Sequence, residues 1–456
     1  MRLDLSPSSL KFKTSNISRY FDQESRWSSW LDVEAAMAIT QSKLGMIPKS
    51  VGKKIAKNCS LKKLNIKNIK KDLKKTGHKL MPIILELTRI CPNDSKKYVH
   101  WGGTTQNIVS TGDILILKKI HKILLNDLSD ILDILSSLCL KNKSVIMVGR
   151  THGQHALPIT FGFKVACWID EITRHIERIL ESEKRVFRCI FGGAVGTTAS
   201  FGKFGIRLQN ELAKMLDLKS SKVPARSHMD HFAEYVINLI MISTTFGKIS
   251  EEVYNLMKNE LSELEEPITS EDIGSSTMPQ KRNPHICQDI MALAAECRSL
   301  APLTFESMIN EHEGSRQNHL MSNNALNQSC IKSGEILSTI KFLFKGIKVR
   351  KLNMLKNLNI SKGSITSEAI MLKLGEKIGR QDAHELIHNC YNYSYTKKKN
   401  FVEVLKKNKK IKKYLNSSTI ETLCNPKNYI GLSVSFATYQ GNHAKKLSTK
   451  LKNKIS

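Results

Sequence analysis

Glycine and proline are scarce in this 456-residue chain, 24 and 11 in number, and aromatic residues make up only 6% of it. So few helix breakers leave long stretches free to be helical. The basic runs carry few aromatics, which removes the stacking platforms of a single-strand nucleic-acid binder. No run of about 18 apolar residues is present to span a bilayer as a helix. The opening MRLDLSPSSLKFKT holds no apolar stretch of signal-peptide length, so the sequence predicts a cytoplasmic protein without a membrane partner. The ten cysteines form no CxxC pair and no closely spaced Cys/His set, which excludes a zinc-ribbon or disulfide framework and predicts reduced, mostly buried thiols. No GxGxxG or GxxxxGKS segment occurs, and neither a metal nor an organic cofactor is expected. Acidic residues are short as well, 41 against 71 Lys and Arg, for a net charge of +30. Much of the surplus lies in runs such as Lys62–Lys75 and Lys397–Lys413, interleaved with Asn and Ile. They predict a solvated basic surface that attracts anionic metabolites, with no nucleic-acid partner.

What is present is helical periodicity. Phe232, Val236, Leu239, Ile240, Phe246, Ile249, Val253 and Leu256 recur at three- and four-residue steps and predict one long core helix. Ile114, Leu117, Ile120, Ile123, Leu124, Leu128, Ile131, Leu132 and Leu135 predict a second, and a third follows Pro158 to about Arg185. Three such helices point to an all-α bundle. Between them lie Gly-, Ser- and Thr-rich segments at His100–Gly112, Phe191–Gly205 and Ile273–Pro284, where a turning backbone presents its amides. The part before about Lys97 reads as short helices, and the part after about Val349 as shorter, lysine-rich ones. This divides the chain into 1–97, 98–348 and 349–456, with no internal repeat.

The segment Gly274-Ser275-Ser276-Thr277-Met278-Pro279-Gln280-Lys281-Arg282-Asn283-Pro284 packs hydroxyls, cations and an amide into one turn-forming stretch. Removing a proton from carbon beside a carboxylate builds a dianionic, enolate-like species, which needs a base, fixed positive charge and hydrogen-bond donors. Serine is a feeble base by itself. Lys281 and the backbone amides of the loop lower the cost of a serine alkoxide, and Asn283 can donate to a substrate carboxylate.

All eight fixed positions of G-S-S-x-M-P-x-K-x-N-P are met here, and on this segment the chain resembles the fumarase/aspartase superfamily, which includes argininosuccinate and adenylosuccinate lyases. Two further segments fit the same superfamily. Arg150-Thr151-His152-Gly153-Gln154-His155 resembles its second region, in which a histidine follows a threonine. A histidine titrates near neutrality, so His152 is placed to protonate the departing atom directly or through water, with Gln154 on a carboxylate. His100-Trp101-Gly102-Gly103-Thr104-Thr105 resembles the first region, where adjacent hydroxyls grip a carboxylate and a histidine stands nearby. His78 matches a histidine position of adenylosuccinate lyases.

The resemblance covers nearly the whole chain. It implies a three-domain all-α fold with a long central bundle, and a homotetramer in which three subunits meet at each shared active site. It assigns catalysis to Ser275 and His152, and the binding of a small anionic carboxylate substrate to His78, His100, Thr104, Thr105, Gln154, Lys281 and Asn283. One position departs: the glutamate commonly found four residues after the signature's last proline is Gln288 here, beside Asp289. An amide can orient an imidazole but does not stabilise its cation as a carboxylate does.

Within the superfamily, His100-Trp101-Gly102 with Gln106, the stretch His228-Met229-Asp230-His231-Phe232-Ala233-Glu234, Glu311-His312-Glu313 and Asn425–Gly431 resemble 3-carboxy-cis,cis-muconate cycloisomerases. Adenylosuccinate lyases place a phosphate-holding arginine after the His-Glu pair. Here Arg316 comes too early and Asn323 or Asn324 falls at that position. The expected function is acid–base elimination, or its reverse, on a small di- or tricarboxylate. Adenylosuccinate cleavage, another succinyl-type lyase and an inactive scaffold relative stand as alternatives.

Overall fold

The first two apolar stripes close on helices longer than the stripes themselves, and the third on Phe161–Val186. The computed structural model describes residues 14–267, 275 and 277–455. In chain order its principal helices are α1 (Gln23–Lys43), α2 (Thr105–Lys141), α3 (Phe161–Val186), α4 (Asp230–Met257), α5 (His285–Arg298), α6 (Arg316–Gly346), α7 (Lys351–Asn359) and α8 (Ser433–Ile455). Strand among the described residues is confined to two-stranded sheets, of which the antiparallel hairpin β1 (Ile146–Thr151) and β2 (Gln154–Thr160) is the longest. The fold is all-α.

Several departures from the sequence expectation share one cause, polar residues on buried faces. The N-terminal part contains the 21-residue α1, whose inward face mixes Trp27, Leu31 and Met37 with Ser29, Glu34, Thr40 and Gln41. That mixture dilutes the stripe. The segment expected to turn from His100 to Gly112 is helical from Thr105 onward, because Gln106, Asn107, Thr111 and Asp113 are buried in the bundle. Gly112 lets α1 approach: a Cβ there would stand 2.6 Å from Trp30 Cδ1, and Ser29 Oγ donates to the Gly112 carbonyl at 2.8 Å. The 31-residue α6 carries no clear stripe, since Asn318, His319, Ser322, Ser329, Ser333 and Ser338 share its buried face with leucines and isoleucines.

One apolar cluster runs through the molecule from Ile17 to Leu451, and a second, from Ile370 to Cys424, sits within the C-terminal part. The last described helix, α8, returns to the bundle. Its Gly441 would place a Cβ 2.7 Å from Leu140 Cγ, and Ser136 Oγ donates to the Gly441 carbonyl at 2.6 Å. All ten thiols are unpaired, and only Cys167 is exposed. Among the described residues no helix is long and apolar enough to cross a membrane.

The 37 residues of α2 span about 55 Å at 1.5 Å per residue, which gives the bundle two distant ends. At the near end, where α2 and α6 begin, Gln106 meets His319. At the far end lie the β1–β2 hairpin, the start of α5 and α7. The hairpin is set against the bundle where the chain re-enters α3. There Gly162 N donates to the Asn142 carbonyl at 3.0 Å, and a Cβ on Gly162 would lie 2.5 Å from Lys143 Cα. Because the obstacle is backbone, Gly162→Ala is expected to cost about 1–3 kcal/mol. A lower Tm with helicity preserved would show it, and an unchanged Tm would mean that the hairpin base separates from α2 freely.

Candidate active site

At the near end the chain passes through left-handed backbone at His100 (φ 58°) and Gly102 (φ 67°) before an extended Thr104 starts α2. His100 is engaged with α1: its Nδ1 lies 2.5 Å from Glu34 Oε1, on a side chain that is 1% exposed. Burial opposes the imidazolium, but the hydrogen bond and charge of Glu34 outweigh it and raise the His100 pKa above the ordinary histidine value.

Beside Thr104 and Thr105 opens a cavity of about 390 Å³, whose wall also includes His78, Lys79, Gln106, Arg226, Arg316, His319 and Asn323. His78 accepts at Nδ1 from the amides of Leu80 (3.2 Å) and Met81 (3.0 Å), which caps the helix Met81–Ile90. The proton therefore sits on Nε2, 3.5 Å from Thr105 Oγ1. Gln106 Nε2 donates to Ser110 Oγ at 2.6 Å and to His319 Nδ1 at 3.1 Å. Burial, then the charges of Lys79 and Arg226, push the His319 pKa down to about 4, so the ring is neutral with its hydrogen on Nε2. Lys79 lines the same cavity and is exposed. Desolvation lowers its pKa, Asp113 draws it back up, and Arg26, Arg316 and Arg226 lower it further. Asp113 itself is bound to Arg26 at 2.6 Å.

At the far end His152 occupies the tip of the hairpin. The turn has left-handed backbone at both central residues, His152 (φ 53°) and Gly153 (φ 74°), the two-residue arrangement that matches strand twist. The side chains of His152 and Gln154 are consequently exposed. Arg150 anchors the base of the hairpin with a two-pronged pair to Glu263, at 2.7 and 3.1 Å. Glu263 is wholly buried and also accepts from Asn357 Nδ2 of α7 at 2.8 Å.

The signature loop lies against this anchor. Of its residues Gly274 and Ser276 fall outside those described. Ser275 Oγ accepts from the amides of Met278 (3.2 Å) and Thr277 (3.4 Å), so the donors that touch it among the described residues are backbone groups. Lys281 and Asn283 line a separate cavity of about 750 Å³ with Tyr254, Lys258 and Arg350. Glu265 holds the loop down: it binds Arg282 at 2.7 Å and pairs with Arg350 and Lys348. Burial opposes its charge, but the Arg350 hydrogen bond and the three cations prevail and lower the Glu265 pKa. Glu266 accepts from the amides of Ile286 (3.2 Å) and Cys287 (2.7 Å) at the N-terminus of α5, while Gln288 is exposed.

Within one chain the candidate residues thus form two groups. His78, Thr104 and Thr105 share the near-end cavity, and His100 sits behind it on Glu34. Ser275, Lys281, Asn283, His152 and Gln154 belong to the far end, with the length of α2 between the groups. The cavity residues Lys79, Arg226 and His319 went unnoticed in the sequence. Lys79 and Arg226 neighbour segments singled out there, whereas His319 and Glu34 sit in polar-mixed helices and carry no sequence signal.

A family model for lyases matches residues 9–298, and one for the C-terminus of adenylosuccinate lyase matches residues 363–438. The chain belongs to the fumarase/aspartase superfamily of lyases. It is 37% identical to an N-acetyl-S-(2-succino)cysteine lyase of Enterococcus italicus over 92% of each chain. It is 34% identical to the adenylosuccinate lyase of Methanocaldococcus jannaschii over 95% of this chain and 94% of that one. Among solved structures, a fumarate lyase from a Mesorhizobium species superposes with a TM-score of 0.88 at 29% identity, covering 94% of this chain and 98% of that one. The 3-carboxy-cis,cis-muconate lactonizing enzyme of Pseudomonas putida does so with 0.87 at 26%, covering 97% and 99%.

The raised pKa of His100 has a signed consequence. The Glu34 contact contributes in full below the ordinary histidine value of 6.5 and is lost as pH rises through the raised one. Glu34→Gln is therefore expected to return the His100 titration, followed by NMR, toward its ordinary range and to remove the matching fall in stability on the alkaline side. An unmoved titration would mean that another group charges this ring.

Proposed function

We propose that the protein releases fumarate by β-elimination from a small succinylated substrate. The observation that carries this is the Ser275 oxygen held by two loop amides inside a complete signature. Amide donors stabilise the alkoxide, which takes a proton from the substrate methylene beside a carboxylate. The C–H electron pair moves into that carboxylate as an aci form, then returns to form the C=C bond as the bond to the departing heteroatom breaks. His152 gives that atom its proton. Lys281 and Asn283 hold one carboxylate, Thr104 and Thr105 the other, with Gln154 beside them. An inactive scaffold would have no use for this arrangement.

Since the two groups lie at opposite ends of the bundle, the reading requires copies of the chain to pair end to end, and we take the assembly to be a homotetramer with shared sites. The relatives named as lyases of N-acetyl-S-(2-succino)cysteine and of adenylosuccinate support a succinyl substrate, with sulfur or nitrogen departing. The muconate cycloisomerase reading rests on the likeness at 26% identity and on the sequence segments named above. A cytoplasmic location remains part of the proposal.

The purified protein is expected to generate fumarate, read by its ultraviolet absorbance, from N-acetyl-S-(2-succino)cysteine or adenylosuccinate, and to leave 3-carboxy-cis,cis-muconate unchanged. Ser275→Ala should lower kcat by roughly 10²–10⁴ without loss of fold. Turnover at the wild-type rate would remove serine from its role. Ser275→Ala at the far end and Thr105→Val at the near end, each impaired alone, should regain part of the activity when dissociated and reassembled together. No recovery from well-formed hybrids would show that each site draws both residues from one chain.

A further inference from the structure

The near-end cavity holds more positive charge than the succinyl half of a substrate needs. With Thr104 and Thr105 on one carboxylate and Lys281 on the other, Lys79, Arg226 and Arg316 are left over. None of these three cations forms an ion pair with a carboxylate among the described residues. Two hydrogen-bond donors there are also unspent: His319 Nε2 and Arg226 Nε are buried without partners among the described residues. His319 is 8% exposed, and an orphaned donor at that depth is costly unless something fills it.

The surroundings are arranged to keep Arg226 in place. Arg226 Nη1 donates to the Ala194 carbonyl at 3.2 Å, and the side chain lies on Gly314, where a Cβ would come within 2.9 Å of Nε. The Gly314 backbone, with φ 150°, sits in a loop tied to the Arg226 segment by Asn310, whose Nδ2 donates to the Ser227 carbonyl at 2.8 Å. A guanidinium held this way offers the fixed fork that suits a carboxylate. Among the described residues no Phe, Tyr or Trp lines the cavity, Leu320 is its one large apolar side chain, and its two imidazoles are engaged, His78 at a helix start and His319 with Gln106, so it offers no apolar platform for a purine.

We infer that Arg226, with Arg316, Lys79 and His319 Nε2–H, forms a subsite for a carboxylate carried by the leaving half of the substrate, and that this subsite selects small succinylated acids over nucleotides. The inference rests on the elimination reading above and adds a third anionic group to the substrate. Arg226 is a specificity-determining residue here, remote from the bonds that change.

The test compares two succinyl thioethers that differ only in that group: N-acetyl-S-(2-succino)cysteine and its counterpart made from N-acetylcysteamine, which lacks the leaving-group carboxylate. Wild-type enzyme should favour the first by about 10- to 100-fold in kcat/KM. The preference should collapse toward unity in Arg226→Gln and in Arg316→Gln, the second of which replaces an exposed side chain and spares the fold. A wild-type ratio near one, or a ratio that survives both substitutions, overturns the subsite. Turnover of adenylosuccinate that depends on Arg226 overturns the choice of carboxylate in favour of phosphate. Failure of wild-type enzyme on all three compounds would instead sink the elimination reading, and the subsite with it.

Discussion

The packing of α2 against α1, α3, α6 and α8 fixes a rod about 55 Å long, and that length governs how chemistry can be arranged. The apolar stripes that build the rod run almost its whole length, so the helices cannot bend to bring their ends together without exposing core. Each end is therefore specialised. One gathers hydroxyls, a neutral imidazole and cations around a cavity, and the other carries an exposed histidine and an amide-held serine. A chain built this way supplies complementary parts of a site to its copies.

Charge is managed differently at the two ends. At the far end four cations of the scaffold have counterions: Glu263 takes Arg150, and Glu265 takes Arg282, Arg350 and Lys348. Glu266 meets the positive end of α5 through two amides. These bonds set the places of the hairpin and the signature loop. At the near end Asp113, the buried acid whose charge acts on Lys79, is already bound to Arg26, so positive potential is left facing the cavity. A surface with net charge +30 can steer anions broadly, but this uncompensated pocket is what can hold one.

The long helices and the chemistry-bearing segments were legible because apolar periodicity and a rigid motif spacing are local properties of a sequence. The Phe232–Leu256 stripe read directly as α4. Polar residues in the interior were the obstacle. Glu34 behind His100 and His319 behind Gln106 make their buried contacts with residues 66 and 213 positions away, and nothing in their own neighbourhoods announces it. The opposed positions of Thr105 and His152 likewise follow from helix length and direction, which no single segment displays.

Ser136 and Gly441 touch across 305 residues of chain, and α8 covers the face of α2 at that contact. During synthesis α2 is made long before its cover exists, so one flank of the longest helix must wait, apolar and unpaired, while most of the remaining chain emerges. Folding of the rod is thus tied to late, distant contacts, which slows it and makes it cooperative. In that interval the open flank can accept the corresponding helix of a neighbouring nascent chain, so the same contact that completes one molecule makes exchange between two of them a hazard of crowded synthesis.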